Sequence, residues 1–316
     1  MGGCCMNNFD KYSYSGLSYG GHGGSKKGII IDNEKWFLKY PKPTDSIERV
    51  DISYTTTPIS EYIGSHIYET LGIDTHKTML GISNNKIVVA CKDFLNDYET
   101  IIDYNMIKNE YDEKIENEIR SLSSSSKYSD DDLEELYVIM NNNIYFKKVN
   151  GLKERFWDMF VIDTLINNND RNEGNWGIIL NKNNGNLRIA PVYDNGAAFY
   201  NKMDENRVFD SLNDQRKFTQ VVYDSAISKF SINGKKINPL KYIEKMENKD
   251  LNAAILRIIP RIDLGVIKKI FDEIPEEIDG VYVISKNKNE LYYKMLEYRY
   301  NKVLLPIYNE LNKYEK

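Results

Sequence analysis

Short apolar runs of strand length dominate the start of the chain, and longer polar and amphipathic stretches follow Phe94. Residues 28–31 and 36–40 are β-prone runs joined by the polar residues 32–35, which predicts a hairpin. Pro58 opens a helical pattern in which Ile59, Ile63, Ile67 and Leu71 recur at steps of four, with Gly72 placed to cap its C-terminus. Residues 79–82 and 87–91 read as a second hairpin about 83–86, and Lys92, Asp93 and Phe94 lead out of it. The low-complexity stretch 121–132 reads as a solvated loop, with Ser129 or Asp130 capping a helix over 132–140.

Residues 152–168 are strongly apolar, with Phe156, Phe160 and Leu165 among the bulky ones, and predict a buried helix. A third hairpin follows, 176–180 with 187–190 around the tip 181–186. Stretches 241–246, 251–259, 264–270 and 290–314 are predicted helical, and no internal repeat is visible. The order predicts an α+β chain of two lobes: a small β-rich lobe over 1–94 and a larger helical lobe over 95–316.

At 316 residues, 41% hydrophobic and 28% charged, the composition is that of a globular protein with a sizeable core. The 42 basic and 47 acidic residues leave a net charge of -5, without the basic excess of a chain that coats phosphate backbones, so no nucleic-acid partner is expected. Cys91 sits in an apolar run while Cys4 and Cys5 are neighbours, which gives neither a disulfide framework nor zinc spacing and points to a reducing, cytoplasmic compartment. No apolar run is long enough for a bilayer and no export signal is seen, so no membrane association is expected. The start Met1-Gly2-Gly3-Cys4-Cys5 is close to an acylation signal, but Met6 stands where that pattern wants Ser or Thr.

The candidate chemistry lies in Asp170-x-x-x-x-Asn175 followed by Asp194-x-Gly196. A helix ending near 167–169 would present Asp170 on a loop, and the third hairpin would carry Asn175 at its entry and Asp194 beyond its exit, so the three could converge. One carboxylate base with two oxygen ligands for Mg²⁺ is a minimal set for phosphoryl transfer, which depends on positioning and charge neutralisation. An Asn-rich polar loop would show some of the same residues by chance. Upstream, Lys39 ends a strand that otherwise reads Trp-Phe-Leu and needs an anion, a nucleotide phosphate or a helix carboxylate such as Glu61, unless it lies on an edge and reaches water. Gly20 to Lys26 is a Gly-rich segment whose backbone N–H groups could approach phosphates.

Taken in order, the Gly-rich segment with Lys26, Lys39, Glu61, the run Val88-Val-Ala-Cys-Lys-Asp-Phe94, Asn168-x-Asp170-Arg-x-x-x-Asn175 and Ala190-Pro-Val-Tyr-Asp194 resemble the HipA-like serine/threonine kinases, especially their short members. The likeness extends to residues 156–165 and 258–263. It implies a two-lobed kinase fold, ATP and Mg²⁺ as cofactors, and transfer to a hydroxyl of a protein substrate. By the same resemblance Asp170 is the catalytic base and Asn175 and Asp194 hold the metal. Lys39, paired with Glu61, holds phosphates; Gly21, His22, Gly23, Gly24, Ser25 and Lys26 cover them; Cys91, Lys92 and Asp93 meet the adenine or ribose, and Tyr193 lines the pocket. Ser18, or alternatively Ser25, is the implied site of silencing autophosphorylation, where a phosphate would compete with those of ATP.

Two departures stand out. Asn172 replaces a His common in the family, which bears on a nucleotide contact, and the region by which longer members pair with an antitoxin has no counterpart here, leaving a separate small antitoxin-like regulator as the open alternative. The expected roles are a toxin-type kinase acting on a cytoplasmic protein or an effector acting in a host cell. A pseudokinase or nucleotide-binding module, and a lipid or small-molecule kinase, are the competing readings.

Overall fold

The computed structural model describes residues 7–17, 19, 26–45, 53–122 and 132–314. Ser18, residues 20–25 of the Gly-rich segment, and the expected caps Ser129 and Asp130 lie outside them.

Local chemistry sets the first hairpin. Strands β2 (Lys26–Ile31) and β3 (Glu34–Lys39) are joined by Asp32 and Asn33, both left-handed at φ 49° and 62°, the conformation of a tight hairpin turn that Asp and Asn tolerate best. Asn84 and Asn85 repeat the device between β4 (Thr78–Ser83) and β5 (Lys86–Lys92). With β1 (Asn7–Asn8) these form a five-stranded sheet of order β1-β4-β5-β3-β2, in which β1 runs parallel to β4 and the other pairs are antiparallel. Because β3 lies between β5 and β2, Lys39 is on an interior strand and cannot reach water along an edge.

Period-2 alternation sends the two faces of this sheet to different neighbours. Trp36 and Leu38 pack outward with Phe9, Ile29, Val88 and Ala90, while Val89 and Cys91 join the main core with Ile59, Ile63 and Ile67 of helix α1 (Thr57–Thr70). That helix has Pro58 in its first turn and Gly72 just past its end at φ 70°, the backbone state glycine adopts without cost.

The second part of the chain runs through β6 (Glu99–Asp103), α2 (Tyr104–Lys108), α3 (Glu113–Leu122), α4 (Leu133–Asn142) and α5 (Ile144–Lys148) to α6 (Leu152–Ile166). Asp132 caps α4, its carboxylate accepting from the Glu134 N–H at 2.9 Å. Helix α6 is buried almost all round and stops at Asn167, left-handed at φ 58°. Strands β7 (Gly177–Asn181) and β8 (Leu187–Ile189) form the expected third hairpin, and β6 adds to it to make a three-stranded sheet. Beyond it lie α7 (Glu205–Asn213), α8 (Gln215–Thr219) and a π-turn (Gln220–Asp224), none of which the apolar pattern announced.

The rest is helical: α9 (Pro239–Glu244), α10 (Lys249–Ile258), α11 (Leu264–Asp272), α12 (Lys286–Arg299) and α13 (Leu305–Tyr314). The stretch expected as one helix over 290–314 is α12 and α13 with a π-turn at Tyr300–Leu304 between them. Arg299, fully buried at that junction, donates to the Val222 and Thr164 carbonyls, the Asn167 side-chain oxygen and the Tyr200 hydroxyl, and so ties α12 to the end of α6. Among the described residues no helix is long and apolar enough to cross a membrane.

The β6–β7 pairing depends on Gly177, where a Cβ would lie 2.3 Å from the Ile102 carbonyl oxygen and 2.7 Å from the Asp103 Cα. Gly177→Ala is therefore expected to destabilise the protein by about 1–3 kcal/mol, since backbone must shift to admit the methyl. Urea unfolding at fixed m-value measures this, and an unchanged midpoint would refute the close approach.

Candidate active site

The Lys39 ammonium, on the inner end of β3, meets Glu61 Oε2 at 2.7 Å and Asp194 Oδ1 at 2.9 Å. Lys39 and Glu61 are both buried, while Asp194 is partly open. The other oxygen of Glu61 is taken as well, by His76 Nε2 at 2.8 Å and by the Asn195 N–H at 3.0 Å. Burial by itself would raise the Glu61 carboxyl, but Lys39 and His76 outweigh it and hold it well below the usual range. Burial likewise pulls the Lys39 ammonium down, and Asp194 and Glu61 more than compensate, holding it charged above its ordinary value. Cys91 lies close enough that its sulfur, Glu61 and His76 offer ligand atoms within 4.8 Å of one another. Burial pushes the Cys91 thiol up and Glu61 is already saturated, so the trio is a buried polar cluster and not an open metal site.

The loop after α6 is organised by Arg171, which the pattern of expected site residues omitted. Its guanidinium is buried and grips the Asp163 carboxylate with Nε at 2.8 Å and Nη2 at 3.0 Å. It also donates to the backbone carbonyls of Asn175 and Tyr193 and to Asn195 Oδ1. Burial alone would lower its pKa, but Asp163 holds it above the ordinary value. One side chain thus fixes the Asp170 loop to the segment bearing Asp194. The sequence held a signal for this: an Arg beside Asp170, and an Asp in the apolar second half of α6, each require a partner.

Around that knot the expected residues converge unequally. Asp170, Asn172, Asn175 and Asp194 line one cavity of about 1200 Å³. Asp170 is exposed, and the Asn172 side-chain amide donates to its Oδ1 at 3.3 Å. The Asn175 amide donates to the Asp170 carbonyl at 2.8 Å, which leaves its own Oδ1 without a protein partner among the described residues. Asn175 and Asp194 together offer oxygen ligands only, the donor set that suits a hard cation such as Mg²⁺.

Tyr193 packs against Phe94 with ring centres 5.6 Å apart and donates to the Gly174 carbonyl, and burial raises its hydroxyl. Lys26 pairs in register with Lys39, and burial, then the Lys39 charge, lower its ammonium. Cys91 faces the core, and the Lys92 ammonium sits on Glu34 at 2.5 Å at the sheet's outer end. Asp93 accepts from the Tyr19 hydroxyl at 3.2 Å and the Leu95 N–H at 3.0 Å. Tyr19 in turn stacks on Phe37 at 4.6 Å. Gly21, His22, Gly23, Gly24, Ser25 and Ser18 are outside the described residues.

No protein-family model matches the chain. Among curated proteins it is 36% identical over 289 residues to the serine/threonine-protein kinase CtkA of Helicobacter pylori (strain J99), covering 90% of this chain and 82% of that one. The crystal structure of the Helicobacter pylori proinflammatory kinase CtkA matches at a TM-score of 0.82 and 30% identity, over 97% of this chain and 98% of the other. HipA of Shewanella oneidensis MR-1, solved with HipB and operator DNA, matches at a TM-score of 0.51 over 94% of this chain and 70% of that one. At 11% identity this last likeness is one of fold.

Two outcomes are expected from these buried ion clusters. Arg171→Ala should cost about 3–5 kcal/mol in urea unfolding because Asp163 is left charged and buried, and Arg171→Lys should recover little of it, since an ammonium cannot reproduce the two-pronged grip. Glu61 contributes stability above its unfolded value of about 4.3 and loses it as pH falls toward its depressed folded value; Lys39 contributes below about 10.4 and loses it as pH rises toward its elevated one. The stability gap between wild type and Glu61→Gln should therefore be level from about pH 6 to about pH 9 and shrink below about pH 4. A gap that grows on acidification would contradict the assignment.

Proposed function

The chain belongs to the HipA-like family of serine/threonine-protein kinases, and we propose that it transfers the γ-phosphate of ATP to a hydroxyl group of a protein. The observation that carries this reading is the buried Lys39–Glu61 pair joined to Asp194, which opens onto the same cleft as Asp170 and Asn175. Such a cluster places a fixed positive charge, a saturated carboxylate that holds it, and a partly open carboxylate in a row.

In this reading Asp194 and Asn175 hold Mg²⁺ through their oxygens, and Lys39 holds phosphate oxygens while Glu61 keeps its ammonium in place. When bound, Mg²⁺-ATP supplies the phosphoryl group and the charge neutralisation that its departure requires. Asp170 is the base. One of its oxygens accepts from Asn172, and the other has no protein partner among the described residues and is free to take the acceptor's proton. Asn172, standing where many family members have His, thus orients the base. Phe94, Asp93 and Tyr193 bound the end where the adenine and ribose would lie, with Tyr19 across it. Autophosphorylation at Ser18 or Ser25 belongs to the same proposal, as does a protein substrate, with a separate antitoxin-like protein as a candidate regulator.

Asp170→Asn is expected to lower kcat for transfer by about 10²–10⁴-fold with ATP affinity held within about twofold, because only the base is removed. Labelled-ATP assays on the purified protein and on lysate proteins, with calorimetric ATP titration, measure both. Unchanged transfer would sink the role of Asp170, and ATP binding without transfer by the wild type would favour a nucleotide-binding module. Label found only in extracted lipids or small molecules would redirect the activity. Lys39→Ala should instead weaken ATP binding, and chelation of Mg²⁺ by EDTA should abolish transfer reversibly.

A further inference from the structure

The cavity in front of Asp170 continues beyond the groups assigned to transfer. Its far wall is residues 196–203, α7, α8 and the π-turn after α8, and it reaches Lys42 on the segment leaving β3. This wall is built onto the catalytic core. The Asn201 carbonyl accepts from the Thr56 N–H at 2.9 Å, its amide donates to the Gly196 carbonyl at 2.6 Å and to Thr57 Oγ1 at 3.1 Å, and the Tyr200 hydroxyl donates to the Val221 carbonyl.

Charge is divided unequally over the lining. Asp210 is engaged by Lys217 at 2.7 Å and Glu173 by Lys108 at 3.2 Å, while Asp103 caps α2 through the Met106 N–H at 2.9 Å. Asp170 and Asp194 are committed to the reaction. Lys42, Lys202 and Arg207 line the same cavity and have no carboxylate within ion-pair distance among the described residues. A single exposed cation is ordinarily just solvated. Three cations without a carboxylate partner around one concave space, with the neighbouring Asp210 and Glu173 already paired, leave that part of the lining locally positive next to the base.

We propose that this chamber seats the acceptor segment of the protein substrate, and that Lys42, Lys202 and Arg207 select segments carrying an acidic residue, carboxylate or phosphate, beside the target hydroxyl. This deepens the kinase reading and rests on it. The three residues determine specificity and take no part in the transfer itself.

Two fluorescent peptides with the same Ser-centred core, one flanked by Asp and Glu and the other by Lys and Arg, test it by anisotropy on the full-length Asp170→Asn protein. The acidic peptide should bind about tenfold or more tighter, and its binding should weaken as salt rises from about 50 to about 200 mM. Lys202→Glu with Arg207→Glu should remove or reverse the preference, and the neutral pair Lys202→Gln with Arg207→Gln should reduce it, with ATP affinity unchanged. Equal or tighter binding of the basic peptide, or a preference that survives charge reversal, would overturn the proposal. So would a loss of ATP affinity in the reversed variant, which would put these cations on the nucleotide. Binding is read without transfer, so a wild type that labels neither peptide yet keeps the acidic preference would count against the kinase reading and for the chamber.

Discussion

A carboxylate with no access to water must have both oxygens satisfied, and Glu61 is such a group. Leaving it charged and alone would cost several kcal/mol, so its surroundings are constrained more tightly than packing alone would require. Its partners come from three separate places: Lys39 from the sheet, His76 from the segment entering β4, and the Asn195 N–H from the loop after β8. Helix α1, which carries Glu61, is therefore held against the sheet and against the second lobe by one side chain. Gly196 shows how close that contact is, since a Cβ there would lie 2.7 Å from Thr57 Cγ2 and 3.2 Å from Glu61 Oε2.

The second buried cluster, Arg171 with Asp163, does for the Asp170 loop what Glu61 does between the lobes. The two clusters meet at Asn195. Its N–H goes to Glu61, its side-chain oxygen accepts from Arg171 at 2.7 Å, and its amide donates to Ser65 at 3.1 Å. The residue beside Asp194 is thereby fixed from both lobes, and Asp194 itself is held left-handed at φ 61°. A non-Gly residue in that state persists only where its surroundings over-determine it, and here they do. Positioning of the open carboxylate is thus a result of burying its neighbours.

What was legible in the chain followed from short-range rules. The hairpins were marked by Asp-Asn and Asn-Asn turns, α1 by its step-of-four isoleucines, and α6 by its apolar density. The pairing of Lys39 with Glu61 could be inferred because an ammonium on an apolar strand requires an anion. Helices α7 and α8 escaped notice because they are polar and lean on the core through few apolar side chains. Strand β6 escaped because it is half-buried throughout and its partner β7 lies far along the chain. The capping of α4 by Asp132 is a matter of one carboxylate reaching one N–H.

By itself the sequence determined the two-lobed α+β order and the family, and it singled out Lys39, Glu61, Asp170, Asn175 and Asp194 as the candidate chemical set. These rest on residue type and spacing, which the chain carries directly. Only the tertiary structure decided that β3 is interior and Lys39 therefore buried, that Arg171 and Asn195 bind the loops together, and that Lys42, Lys202 and Arg207 line one cavity with Asp170. Each of these depends on contacts between residues far apart in sequence, and those contacts set how deeply each charge is buried and hence how strongly it acts.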